Sequence, residues 1–165
     1  MKNAFTIAEM LVALAVMGIL LTAVAVAFNA SAINYNENQD MFNALNSGRQ
    51  AMMRMTSELR TAEEVSEWSV ESFTDRCGFR PAGSAQWKQF RFYTTTDATH
   101  SDANAVYIDS LNSPHPPLLC GHVTSMTFTR SPMIGKLKSV QMSMTVTVGN
   151  NSQTIASAVV LRKVP

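Results

Sequence analysis

The chain has 165 residues, of which 46% are hydrophobic and 15% charged, and its net charge is +1. That length supports one compact domain with an appendage rather than two domains. So small a net charge excludes nucleic-acid binding driven by bulk charge, although it leaves a local basic patch open.

The apolar residues are concentrated at the N-terminal end. From Met10 to Phe28 the chain is apolar apart from Gly18 and Thr22. Read as a helix from Phe5 to Phe28, the stretch rises about 36 Å, enough to cross a hydrocarbon core of roughly 30 Å. Lys2 ahead of it and acidic residues after it favour a cytoplasmic N-terminus with the bulk of the chain exported. A cleaved secretory signal is the competing reading, with Ala30-Ser31-Ala32 as its small-x-small cleavage site. Against it stand a basic region of only Met1-Lys2-Asn3 and an apolar run longer than the usual core of about 7–15 residues. One carboxylate, Glu9, lies inside the run, and the next charge is Glu37. An acidic group in a membrane helix is costly unless neutralised, so it points to a partner.

The helical pattern continues past the apolar run. After INYNENQD, apolar residues recur at Phe42, Leu45, Met52, Met55, Leu59 and Ala62, steps that trace one helix face. The spacing predicts one helix from about Phe5 to Val65, with a transmembrane half over 5–28 and an amphipathic exported half over 29–66. Gly18 and Gly48 are its expected soft points. A helix of that length far exceeds the globular average of about a dozen residues. Its first half therefore needs lipid or neighbouring helices, and its second half a surface to cover.

From Ser66 to Ala85 the chain reads as irregular, with RCGFRPAGSA supplying turn residues. Strand character follows at Gln89–Thr95, Ala105–Asp109 and Val123–Thr129. The clearest strand is SVQMSMTVTV, where Val140, Met142, Met144, Val146 and Val148 alternate with polar residues. Gly149-Asn150-Asn151-Ser152 reads as a turn, and QTIASAVVLR as the hairpin partner. The expected fold is α+β: an antiparallel sheet of four to five strands over 67–165, packed on the amphipathic half of the long helix.

Several residue groups bear on chemistry. Basic and aromatic residues interleave in RCGFRPAGSAQWKQFRFY, where Arg80, Trp87, Lys88 and Arg91 form a candidate nucleic-acid patch. The plainer reading makes Phe90 and Phe92 core and leaves Lys88 and Arg91 solvated. His115, Cys120 and His122 lie close in PHPPLLCGH without a second ligand pair for zinc. Asp97, Asp102, Asn104 and Asp109 lack the spacing of a calcium loop, and no nucleophile elbow is present. These residue patterns point to no metal and no cofactor. The two cysteines, Cys77 and Cys120, suit an exported compartment; bridged, they close a loop of 44 residues worth about 4 kcal/mol. Two buried free thiols are the alternative.

The opening segment Phe5-Thr6-Ile7-Ala8-Glu9-Met10-Leu11-Val12 resembles the class III signal of type IV pilins and of the pseudopilins of type II secretion. SGRQAMMRMTSELRTA is similar to the second half of a pilin helix, and the last strand, ending AVVLR, to the terminal strand of minor pilins and minor pseudopilins. The resemblance implies a pilin-like fold and a leader, residues 1–4, removed by a membrane-embedded prepilin peptidase. Cleavage then falls between Ala4 and Phe5, and Phe5 becomes the N-methylated first residue. The family usually has Gly before the cut; Ala4 keeps a small residue there. Glu9 is implied to pair with the positive terminus, at Phe5, of a neighbouring subunit. Its presence speaks against the outermost position in a fibre.

What the resemblance implies overall is a structural subunit and not an enzyme. Its expected partners are the peptidase, other pilins or pseudopilins through the N-terminal helix, and an inner-membrane assembly platform. The expected location is the inner membrane, single-pass, with the C-terminal part in the periplasm or extracytoplasmic space. A minor subunit is preferred because no pilin-type disulfide loop lies close to the C-terminus. The rivals are a DNA-binding pilin for uptake and a membrane-anchored exported enzyme, which needs a concave site.

Overall fold

In the computed structural model, residues 6–65, 75–97, 99–110, 115–131 and 139–161 are described. One α-helix, α1 (Ile7–Thr61), is followed by eight strands. The chain divides into two compact units, Met1–Gln39 and Asp40–Pro165.

In the first unit every described residue of α1 is exposed, including Leu14, Leu21 and Phe28. A helix apolar on all sides belongs in lipid or among other helices, and α1 is long and apolar enough to cross a membrane. Its one hydroxyl in the apolar run is turned inward: Thr22 Oγ1 donates to the Gly18 carbonyl at 3.1 Å and the Ile19 carbonyl at 2.8 Å.

The second unit holds the sheets. β1 (Ala62–Val65), β2 (Arg76–Pro81), β3 (Lys88–Tyr93), β4 (Ala105–Ser110) and β5 (Leu118–Cys120) form a five-stranded antiparallel sheet in that order. β6 (Val123–Ser131), β7 (Ser139–Val148) and β8 (Asn151–Val160) form a three-stranded antiparallel sheet. The α+β, pilin-like arrangement is as expected, but in two sheets rather than one of four to five strands. β7 buries Val140, Met142, Met144 and Val146 and turns Gln141 out, as its alternation predicts. The β7–β8 turn is shorter than expected. Val148 pairs with Asn151, leaving two residues, and Gly149 at φ 57° supplies the conformation a tight hairpin turn needs at its first central position.

Three further expectations change. The helix ends at Thr61, and Ala62–Val65 pairs with β2 instead of continuing it. RCGFRP, read as irregular, is a strand: Cys77 and Phe79 are buried while Arg76, Gly78 and Arg80 lie on the other face. Its glycine, proline and two arginines hide an ordinary period-two pattern. Phe79 stacks on Phe90 of β3 at 4.7 Å, inside a core shared by both sheets and α1. Phe42, placed on the buried helix face by its spacing, is 61% exposed.

The reason for the last change is the seam that α1 presents. Its buried residues are Met41, Ala44, Gly48, Ala51, Met52, Met55 and Leu59. A Cβ at Gly48 would lie 3.1 Å from Ile155 Cδ1, 3.1 Å from Met144 Cε and 3.3 Å from Val146 Cγ2. Small residues therefore face the three-stranded sheet, the helix backbone comes close, and the bulky Phe42 is rotated away. Met55 and Leu59 are fully buried beside them, each contributing about 1.5–3 kcal/mol by burial.

Gly48→Val adds more than a Cβ to this contact and is expected to destabilise the second unit by about 1–3 kcal/mol through overpacking. A lowered thermal midpoint of the sheet signal, absent in the exposed control Ser47→Ala, checks it.

Candidate functional site

Ala4 and Phe5, the expected processing residues, lie outside the described residues. The described N-terminus begins with a reciprocal cap. The Thr6 backbone N–H donates to Glu9 Oε2 at 2.9 Å, and the Glu9 backbone N–H donates to Thr6 Oγ1 at 3.3 Å. Thr6 Oγ1 also donates to Glu9 Oε2 at 3.0 Å. This is a capping box, in which two orphan N–H groups of the first turn are satisfied by side chains. The T-x-x-E spacing before an apolar run was its signal in the sequence. Glu9 thus closes the start of α1, and its carboxylate stays exposed beside the helix N-terminus.

The candidate nucleic-acid patch is divided by the sheet. Arg80 and Arg91 share the face opposite the core, whereas Lys88 pairs with buried Phe79 and shares its side. Arg91 lies opposite Arg76, four residues along β2 from Arg80, so Arg80 and Arg91 stand about 13 Å apart along the strands. Arg80 is neutralised locally: its Nη2 is 3.0 Å from Glu64 and its Nε 3.8 Å from Glu63, with the guanidinium 5.9 Å from the Trp87 ring centre. Arg91 lies over Tyr93 at 4.6 Å. Phe90 is fully buried, and Phe92 packs against the core from a half-buried position. The rings therefore serve packing and ion-pair cover; they do not form a continuous stacking platform.

A polar cluster at the β3–β4 connection was not foreseen. All four residues Ala105–Ile108 of β4 are buried. Val106 and Ile108 belong to the core, while Tyr107, on the outer face, is covered by His100. His100 is 5% exposed, stacked on Tyr93 at 3.7 Å and edge-on to Tyr107 at 4.8 Å. Its Nδ1 is 2.8 Å from Asp97 Oδ1 and its Nε2 is 3.2 Å from Asp109 Oδ1. Asp109 Oδ2 accepts from the Tyr93 hydroxyl at 2.8 Å and Gln89 Nε2 at 3.2 Å. Burial, reinforced by that Asp109 contact, pushes the Tyr93 hydroxyl up to about 12, so it remains a donor. Asp97 Oδ1 also accepts the backbone N–H groups of Thr99 at 2.8 Å and His100 at 2.7 Å. The cluster is a clamp on the connection. D-x-T-H was its only local signal, as an Asx-type turn; Asp109 and Tyr93 join only through strand pairing.

Of Asp97, Asp102, Asn104 and Asp109, which lack the spacing of a calcium loop, the three carboxylates are engaged by neighbouring side chains. Asp97 and Asp109 hold His100, and Asp102 Oδ2 accepts from Ser101 Oγ at 2.8 Å. Among the described residues no three His, Cys, Asp or Glu side chains converge on a metal position. The expected disulfide is not formed. Cys77 on β2 and Cys120 on β5 are buried free thiols, with β3 and β4 between their strands in the sheet order. Three strand spacings amount to about 14 Å, against about 5.5 Å for bridged Cα atoms. Burial pushes the Cys77 thiol up to about 12 and the Cys120 thiol up to about 11, which keeps both protonated and unreactive.

The Asp97 carboxyl is held below the usual carboxylate range, first by the Thr99 hydroxyl, then by the Thr99 N–H and His100. A depressed folded value means that its stabilising contribution is present above the unfolded value of about 3.9 and is lost as pH falls through the lower folded one. The clamp is therefore expected to loosen only well below the ordinary carboxylate value, and Asp97→Asn to loosen it at neutral pH. Amide resonances of Thr99 and His100 followed through an acid titration check this, and a midpoint at about 3.9 would remove the role from Asp97.

No curated protein and no solved structure matches the chain. Residues 1–25 match the family model described as the prokaryotic N-terminal methylation motif. This N-terminal segment, with Thr6 and Glu9 at its helix start, carries the signature of the type IV pilins and pseudopilins.

Proposed function

We propose that the chain is a pilin-like structural subunit, processed by a prepilin peptidase and assembled through its N-terminal helix into a type IV pilus or a type II secretion pseudopilus. The observation that carries the reading is the methylation motif over residues 1–25, followed by a helix whose apolar run is exposed along its described length. In this reading the peptidase cuts between Ala4 and Phe5 and the new amino group of Phe5 is methylated. Side chains such as Leu14 and Leu21 hold the chain in the inner membrane before assembly and pack against neighbouring helices after it. The sheets lie in the periplasm or extracytoplasmic space. An inner-membrane platform and a separate cytoplasmic motor drive extraction from the bilayer. The absence of a disulfide loop near the C-terminus favours a minor over a major subunit.

Glu9 has two roles to separate here. It caps its own helix, and its charge neutralises the positive terminus of a neighbour as both leave water, which sets their axial register. The motif belongs to a structural family rather than an enzyme family, and the polar clusters of the second unit are internal clamps.

Mass spectrometry of the mature protein is expected to show a chain beginning at N-methyl-Phe5. A chain beginning after Ala32 would replace this reading with that of a secreted protein. Glu9→Gln keeps the acceptor that the cap needs but removes the charge, whereas Glu9→Ala removes both. Both variants are expected to insert into the membrane and to be lost from fibres by about tenfold, equivalent to about 1.4 kcal/mol. Normal incorporation of Glu9→Gln in pulled-down fibres would falsify the charge pairing.

A further inference from the structure

The edges of the two sheets are finished differently. β1 and β5 are edge strands of four and three residues, and β1 carries Glu63, Glu64 and a register shift between Ala62 and Glu64. Short length, charge and irregularity are the usual means by which a sheet edge refuses a further strand. β8, an edge of the three-stranded sheet, has none of them. NSQTIASAVV is ten residues long, carries no charge and no proline, and pairs with β7 without a shift. A two-residue hairpin closes on a hydrogen-bonded pair, here Val148 and Asn151, and bonded and non-bonded pairs alternate from there. The backbone groups of Asn151, Gln153, Ile155, Ser157 and Val159 therefore turn to β7. Those of Ser152, Thr154, Ala156, Ala158 and Val160 turn outward, and among the described residues they have no backbone partner.

α1 overhangs that edge. Gly48 faces Ile155 of β8 as well as Met144 and Val146 of β7, and Thr56 Oγ1 is 3.4 Å from Ser157 Oγ of β8. Thr56 stands about 80° round the helix from Gly48, so that sense of rotation leads from β7 across β8. Arg49, Phe42 and Met53 lie farther round in the same sense, at about 100°, 120° and 140°. All three are exposed, and Arg49 forms no ion pair among the described residues, whereas Arg54 is paired with Glu58 at 3.2 Å. The open backbone of β8 and this flank of α1 are the two sides of one step. We propose that the step is a strand-addition site, where an extended segment of a partner protein pairs with the outward backbone of β8 and packs its inner side chains against Phe42 and Met53. The ladder calls for a polypeptide backbone, and the flank sets its sequence. Along α1, Arg49 is about 10.5 Å from Phe42 and about 6 Å from Met53, spans of a few strand residues at about 3.3 Å each. The matching segment therefore alternates: a carboxylate inward opposite Arg49, apolar side chains at the neighbouring inward positions, and small polar ones outward beside Thr154 and Ala156. The site lies wholly within the second unit and goes beyond the fibre reading, because it takes a strand and not a helix.

The test uses the full chain in detergent micelles and the capped synthetic peptide VTVTETV, whose inward positions carry the valines and the glutamate. Binding is followed by fluorescence anisotropy of the labelled peptide. The lysine peptide VTVTKTV is expected to bind about tenfold more weakly, and Arg49→Glu to reverse that preference. Ala156→Pro removes one outward N–H and leaves the β7 ladder intact, so it is expected to lower binding by about tenfold with the thermal midpoint little changed. Hydrogen exchange reads the strand itself: the amides of Thr154, Ala156 and Ala158 are expected to slow on adding VTVTETV, while those of Gln153 and Ile155, already bonded to β7, change little. No peptide binding, a charge preference that Arg49→Glu leaves unaltered, or binding without protection of the outward amides would each overturn the proposal. Self-association of the chain that Ala156→Pro abolishes, with no peptide bound, would assign the edge to a second copy and overturn it too.

Discussion

The close approach of α1 to the three-stranded sheet at Gly48 is the contact on which the second unit depends. With no side chain at that position, Met144, Val146 and Ile155 press against the helix backbone. A helix brought this near presents its small residues to the sheet, so Ala44 and Ala51 flank Gly48 in the seam, and Met55 and Leu59 fill the core beyond it. The rotation has a consequence on the other side. Phe42 and Met53, which would normally be hidden, are carried outward with Arg49 between them. One packing constraint thus determines both the interior of the unit and the character of its exposed helix flank.

The polar chemistry of the protein is local and conservative. Arg80 answers Glu63 and Glu64 across the first two strands, and Asp97 and Asp109 close around His100 over Tyr93 and Tyr107. These arrangements let charged and titratable groups sit half-buried on a sheet face without leaving them unpaired. Their role is to hold strands and connections in place. The two thiols, protonated by burial, fit the same picture.

The first unit obeys a different rule. From Met10 to Phe28 its side chains are exposed and apolar on all faces, while the polar groups at the start and middle of that stretch bond within the helix: Thr22 onto Gly18 and Ile19, and Thr6 and Glu9 onto each other. A segment that satisfies its hydrogen bonds internally and leaves its apolar surface uncovered is suited to lipid and to other helices alike.

The sequence by itself determined the features that depend on neighbours along the chain. The apolar run from Met10 to Phe28, the carboxylate at Glu9, the long helix and the alternation of β7 were all legible because their periods are set by backbone geometry. Tertiary structure decided what depends on partners distant in the chain. β1 and β2 exist because they pair with each other and with β3, against local signals for helix and turn. Lys88 and Arg91 part to opposite faces through strand pairing, Cys77 and Cys120 are separated by two intervening strands, and His100 meets Asp109 only once β3 and β4 align. Phe42 was misplaced for the same reason. Periodicity identifies a helix face by hydrophobicity, but the distance of approach chooses among faces by size, and Gly48 decided that distance.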